Sequence, residues 1–242
     1  NPCAGEATVG SRDKVVPVIR LYGSTMEGQS VLAYIHGFTP YFYVALPTSM
    51  KLDANALGQL RLALDQKMRD KARGDEKRLS NFVLGVDPVR GKQSIMGYRA
   101  TDQTREFIKV YCAMPSLVAG LKSKFDEGVM LPGLGTVRGQ TYESNVPFVL
   151  RFMIDAQIQG ADWVEFPKGT YAVRSEAQKQ SRCSLEVDIF YNKIVSHECV
   201  DKWSLLAPMR TLSFDIECQG RKGFFPEAEK DPVIQIANCV YV

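Results

Sequence analysis

Hydrophobic and polar positions alternate along much of this chain, giving short runs of strand period separated by three stretches of helical period. Residues 15–21 read as a first strand and 31–35 as a second, with a turn at 25–29 that closes them into a hairpin. His36-Gly37-Phe38-Thr39-Pro40 breaks the chain before a third strand at 41–46, which Pro47 closes. Asp53 is placed to cap a helix running to about residue 72, with Leu57, Leu60, Leu64 and Met68 on one face. Residues 82–86 and 106–113 are further strands. Pro115 then opens a helix carrying Leu117, Val118, Leu121 and Phe125, stopped by Gly128, and a last strand is expected at 136–142. The β-α-β-β-α-β order from about residue 38 to 142 is that of a split βαβ, ferredoxin-like unit, an architecture also used in RNA recognition.

Asn145 is expected to cap a third helix, with Pro147 in its first turn and Val149, Phe152 and Met153 facing inward. Residues 163–166 and 185–189 alternate as strands of a second small β unit, which the first hairpin is free to join. A connector at 205–208 precedes the run Arg210-Thr211-Leu212-Ser213-Phe214-Asp215-Ile216-Glu217-Cys218. There Leu212, Phe214 and Ile216 alternate with polar residues, so the period of a half-buried strand returns.

Composition narrows the picture only slightly. A length of 242 residues with 45% hydrophobic positions suits one large domain or two modest ones. A net charge of +3 is too small to announce nucleic acid by itself. Six cysteines without CxxC spacing, and no Asn-x-Ser/Thr sequon, favour buried thiols in a reducing compartment over a disulfide or zinc framework. Residues 28–50 carry no formal charge, yet His36-Gly37, Thr39-Pro40 and Pro47 interrupt the run, so no membrane span is expected. The opening NPCAGEATVGSRDK has neither an initiator methionine nor a signal-peptide pattern, and the chain is expected to be cut from a longer polypeptide.

The candidate chemistry lies at Asp215 and Glu217. Strand alternation puts both on one face, about 7 Å apart along the backbone at ~3.4 Å per residue. Two carboxylates that close repel each other, and a divalent cation between them removes the repulsion. Oxygen-rich magnesium or manganese sites in two-metal nucleases are built this way. An isolated Asp-x-Glu on a strand is a weak signal, and more often a solvent-exposed polar face. Its flanks decide between the two.

RTLSFDIEC, the loop GRKGFFPEAEKDP and the strand VIQIANCVYV together resemble the first exonuclease motif of family B DNA polymerases, and within them the eukaryotic delta branch. VPVIRLYG, EGQSVLAYIHGFTPYFYVALP and TYESNVPFVLRFMIDAQIQGADWVEFPKGTY resemble that branch's amino-terminal region in the expected order, with a looser match over 51–110. The resemblance implies an α+β fold: an amino-terminal domain over 1–208, containing an OB-like β unit and the RNA-recognition-like unit, then the first strands of a ribonuclease H-like exonuclease domain at 209–242. It also implies that Asp215 and Glu217 are catalytic metal ligands of a 3′→5′ proofreading nuclease using Mg2+ or Mn2+. The family's further exonuclease motifs, polymerase domains and a metal-carrying tail (iron–sulfur or zinc) are expected beyond residue 242. Implied partners are single-stranded template or primer DNA, the remaining domains of the same chain, accessory polymerase subunits and a sliding clamp, in a nucleus.

Other positions carry two readings each. Phe38, Tyr41 and Tyr43 are either a stacking surface for bases or a strand packed on both faces. The basic run at 67–78 is either a phosphate contact or the solvated end of a helix. His36 and His197 have no metal-ligand company and read as structural, as do Trp163 and Trp203. Gly133, Gly135 and Gly139 read as a flexible connection. Cys218 alternates away from the carboxylates and is expected to pack inward. The rival whole-chain readings are a stand-alone single-strand-binding module and a passive scaffold.

Overall fold

The computed structural model describes residues 15–47, 50–89, 96 and 106–241. Strands β1 (Ile19–Ser24) and β2 (Ser30–His36) form the expected hairpin, registered from Ile19 opposite Ile35 to Ser24 opposite Ser30. The first strand begins later than expected because Pro17 has no N–H to give a ladder. Thr25 Oγ1 closes the turn by accepting from the N–H groups of Glu27 and Gln29.

β3 (Tyr41–Ala45) leads into helix α1 (Ala54–Arg69), then β4 (Val83–Val89), β5 (Phe107–Cys112) and helix α2 (Leu117–Glu127). A short hairpin, β6 (Val129–Leu131) with β7 (Gly135–Val137), precedes β8 (Gln140–Tyr142). The strands pair antiparallel in the order β4-β5-β3-β8, so the two outer connections cross over through the helices. Asp53 caps α1, its Oδ1 accepting from Ala56 N at 2.8 Å, and Leu57, Leu60, Leu64 and Met68 are buried against the sheet as their spacing demands. The single strand expected at 136–142 is two strands. Gly139 separates them because it lies against β3, where a Cβ would fall 2.4 Å from the Ala45 carbonyl oxygen.

Helix α3 (Phe148–Asp155) starts later than expected, with Pro147 at its cap position and no side-chain cap. Val146 precedes a proline and is kept out of helical backbone, so Asn145 stands too early to cap. The inward face is Arg151 and Phe152, while Val149 is 53% exposed, because the Arg151 guanidinium turns in to meet Glu143 at 2.6 Å. After it come β9 (Val164–Glu165), β10 (Tyr171–Val173), β11 (Leu185–Phe190) and β12 (Val195–Ser196). β11 pairs parallel with β2 and antiparallel with β10, so the first hairpin does join a second sheet, ordered β1-β2-β11-β10. β9 does not; it pairs with β12 in a separate ladder. The last elements are β13 (Thr211–Cys218) and β14 (Val233–Tyr241), which pair with each other. Among the described residues no helix is long and apolar enough to cross a membrane.

Two cores divide the work. Phe42 and Val44 pack with α1 and α2, through Leu60, Leu64, Leu121 and Phe125. Tyr41, Tyr43 and Ala45 point the other way, into a cluster with Phe152 of α3 and with Ile19, Ile35 and Ile189 of the second sheet. That sheet also buries charge. Glu186 accepts from the N–H groups of Gln180 and Ser181 and from Tyr34 Oη, while Arg174 grips Asp188 through Nε at 2.6 Å and Nη2 at 2.7 Å. His36 Nε2 reaches the same Asp188 carboxylate at 2.7 Å.

Desolvation pushes the Asp188 carboxyl up, but the Arg174 and His36 hydrogen bonds outweigh it and hold the group at about 2, below its ordinary 3.8. Its contribution to stability is therefore complete above pH 3.8 and is lost as pH falls through about 2. Thermal melting across that window is expected to show the loss, and Asp188→Asn to remove this share of it. Arg174→Met strands the partly buried Asp188 charge and is expected to cost about 3 kcal/mol in urea unfolding.

Candidate functional site

β13 is a strand because β-branched and aromatic residues alternate with short polar ones, and β14 pairs with it from Thr211 opposite Tyr241 onwards. Directly opposed residues of an antiparallel ladder share a face. One face therefore carries Leu212, Phe214 and Ile216 with Val240, Asn238 and Ile236. The other carries Ser213, Asp215 and Glu217 with Cys239, Ala237 and Gln235. The register irregularity falls after Glu217, so alternation between the two carboxylates is unbroken. Cys218 sits at that irregularity, half-buried.

Asp215 Oδ1 accepts from the Ile216 N–H at 2.9 Å, which fixes the carboxyl and leaves Oδ2 for another partner. Both acids are exposed, as is nearly all of β13. The donor set is wholly oxygen, which suits magnesium or manganese, and it supplies part of the six-fold shell such ions take. Among the described residues no three His, Cys, Asp or Glu side chains come together as a metal-binding group.

The loop joining the strands is held from within. Arg221 Nε bonds Asp231 Oδ1 at 3.1 Å, its Nη2 bonds Glu227 Oε1 at 2.7 Å, and Glu227 N donates to Asp231 Oδ2 at 2.8 Å. Asp231 is buried by this arrangement. Periodicity could not have found it, since the Gly- and Pro-punctuated loop at 219–232 carries none. A basic residue early and an acid late in the loop were the only available signal.

The aromatic candidates are not a stacking surface. Phe38, Tyr41 and Tyr43 are 5%, 8% and 4% exposed. Phe38 packs against Phe148, Phe152 and Tyr191. Tyr41 has the Lys109 ammonium 3.5 Å above its ring, and its hydroxyl donates to Asp155 at 2.7 Å. Burial, then that hydrogen bond, pushes the Tyr41 phenol strongly upward. The packed-strand alternative accounts for all three rings. His36 is taken up by Asp188, and His197 by Glu165 at 2.9 Å and by Trp203, whose ring stacks on it at 3.8 Å. Trp163 Nε1 donates to Leu205 O at 2.7 Å, pinning the connector that enters β13.

Comparison with known proteins accords with this arrangement. The sequence model for the DNA polymerase family B exonuclease domain matches residues 139–242, and that for the DNA polymerase delta catalytic subunit-like N-terminal domain matches 37–119. The chain belongs to the family B DNA polymerases. It is 44% identical to the DNA polymerase delta catalytic subunit of Arabidopsis thaliana over 93% of this chain and 20% of that protein. The Drosophila melanogaster counterpart is 40% identical over 96% of this chain and 21% of that protein. The chain thus spans about a fifth of the length of these relatives, and corresponds to the amino-terminal and exonuclease-domain region of delta catalytic subunits. The fold is also that of the family B DNA polymerase from the archaeon Pyrobaculum calidifontis, with a TM-score of 0.60 and 24% identity, covering 93% of this chain and 23% of that one.

Tyr41→Phe tests the part that its hydroxyl plays in the packed strand. It is expected to lower stability by about 1–2 kcal/mol through loss of the bond to a charged acceptor, and to leave affinity for a single-stranded oligonucleotide unchanged in a fluorescence titration.

Proposed function

We propose that this chain is the part of a replicative DNA polymerase that braces its proofreading nuclease and supplies the first two metal ligands, Asp215 and Glu217. The observation that carries the reading is their common face on an unbroken stretch of β13, inside the segment matched by the family B exonuclease domain. Magnesium or manganese held there supplies Lewis-acid stabilisation of the charge that develops when a terminal phosphodiester is hydrolysed. The chain's own part is positional. The Ile216 N–H orients Asp215, and the strand period sets Glu217 beside it.

In this reading residues 1–208 form the amino-terminal domain and 209–242 open the nuclease. The antiparallel order β4-β5-β3-β8, with helices in both crossovers, supports a ferredoxin- or RNA-recognition-like unit over about 38–142. The sheet in which β11 returns parallel to β2 supports the OB-like assignment. The whole enzyme would extend a primer on a DNA template in the nucleus and remove mismatched 3′ ends, with accessory subunits and a clamp. The stand-alone single-strand-binding reading is weakened by the burial of the sheet face that such units present to bases.

Asp215→Ala with Glu217→Ala in the full-length enzyme is expected to reduce 3′→5′ degradation of a mismatched primer to background while nucleotide addition persists. Retained degradation would sink the metal assignment. The 242-residue chain alone, holding two carboxylates of a site that needs more, is expected to release no nucleotides from single-stranded DNA with Mg2+ present.

A further inference from the structure

The connector at 205–208, which leads into β13, is gripped from two separate sheets. Trp163, just ahead of β9, donates from Nε1 to the Leu205 carbonyl oxygen at 2.7 Å. Ser24, the last residue of β1, donates from Oγ to the Pro208 carbonyl oxygen at 3.2 Å, sharing the proton with its neighbour Thr25 O at 3.3 Å. The turn after Ser24 closes on the same proline: a Cβ on Gly28 would stand 3.6 Å from Pro208 Cγ, in ordinary contact.

The first grip is itself fixed. The Trp163 ring lies 6.5 Å from that of Trp203, which stacks on His197, and His197 is bonded to Glu165 of β9. Trp203 sits in the short turn Asp201–Ser204, which Ser204 Oγ closes on the Asp201 carbonyl oxygen at 2.7 Å. Between the grips the chain is stiff, because Pro208 fixes its own φ and keeps Ala207 extended. Only Met209 and Arg210 then precede Thr211, the first residue of β13. Three chain steps reach at most about 11 Å. β13 and β14 are themselves exposed along nearly their whole length, so the connector sets the direction in which their ladder leaves the sheets that come before it.

We propose that Trp163 and Ser24 are positioning residues for proofreading: by gripping 205–208 they fix where the nuclease ladder is carried, and so whether a primer end held by the same enzyme meets it. The role rests on the proofreading reading of Asp215 and Glu217; the grips rest on the two bonds. A free single strand diffuses to the nuclease wherever that is carried. A primer end paired to its template has to be met at a set place, and a misplacement of about 1 Å arising far from the chemistry can slow a reaction by roughly two orders of magnitude.

Two measurements test this. In the full-length enzyme Trp163→Phe, which keeps a ring and removes the donor, and Ser24→Ala are each expected to slow removal of a mismatched 3′ end from a primer–template duplex by roughly tenfold. Degradation of a free single strand is expected to stay at the wild-type rate, and Ser24→Thr, which restores a hydroxyl, to recover mismatch removal. In the 242-residue chain, hydrogen exchange at the amides of residues 205–210 is expected to quicken in Trp163→Phe and Ser24→Ala and not in Ser24→Thr. Equal loss on both substrates, or loss on neither, overturns the proposal, and so does unchanged exchange across the connector. If Asp215→Ala with Glu217→Ala leaves degradation intact, the metal assignment fails on its own, while the exchange rates still decide whether the grips hold.

Discussion

Every residue of β3 is buried, and a strand with no wet face has to be covered twice. Phe42 and Val44 are covered by α1 and α2, whose leucines repeat at helical spacing for that purpose. Tyr41, Tyr43 and Ala45 are covered by Phe38, Phe152 and the isoleucines of the second sheet. Each large apolar side chain sealed in this way contributes roughly 1.5–3 kcal/mol, so the shared core is what joins the two sheets. The choice of tyrosine rather than phenylalanine on the second face has a consequence. A buried hydroxyl needs an acceptor, and Asp155 provides it; Arg151 then lies beside both and is balanced by Glu143. A polar seam thus runs through the contact, and the face an RNA-recognition unit would offer to bases is spent on holding the molecule together.

How legible this was in the sequence depends on the range of the interaction. β2, β3 and β5, the α1 cap at Asp53 and its leucine stripe follow from residues within a few positions of one another, and they stand as read to within a residue at the strand ends. What the sequence concealed joins residues far apart. Asp65, on the buried side of α1, accepts from the backbone N–H groups of Phe82 and Val83 at 2.6 and 3.0 Å and so ties the helix to the start of β4. Glu186 and Asp188 alternate like an exposed polar face, yet Arg174, Tyr34 and His36 make that face an internal network. Asn145 looked like a cap because its residue type favours that role. Pro147, two positions later, decided where the helix could begin.

The carboxylate pair was legible for the simplest reason: period two belongs to any strand, and no distant partner is needed to put Asp215 and Glu217 on one side. The same period makes the opposite side apolar, and there Leu212, Phe214, Ile216 and Ile236 are 57%, 69%, 48% and 59% exposed. A two-stranded ladder on its own is marginal in water. Its turn is well fixed by the Arg221, Glu227 and Asp231 bonds, and the connector leading into it is pinned through Trp163, but neither restrains the middle of the strands. Metal ligands must be held within fractions of an ångström to work. On the proposed reading of Asp215 and Glu217 as metal ligands, the two faces of β13 are therefore one constraint: the acids can be held to that tolerance only when the row behind them is packed. The site's geometry is set as much by whatever covers Phe214 as by the acids themselves.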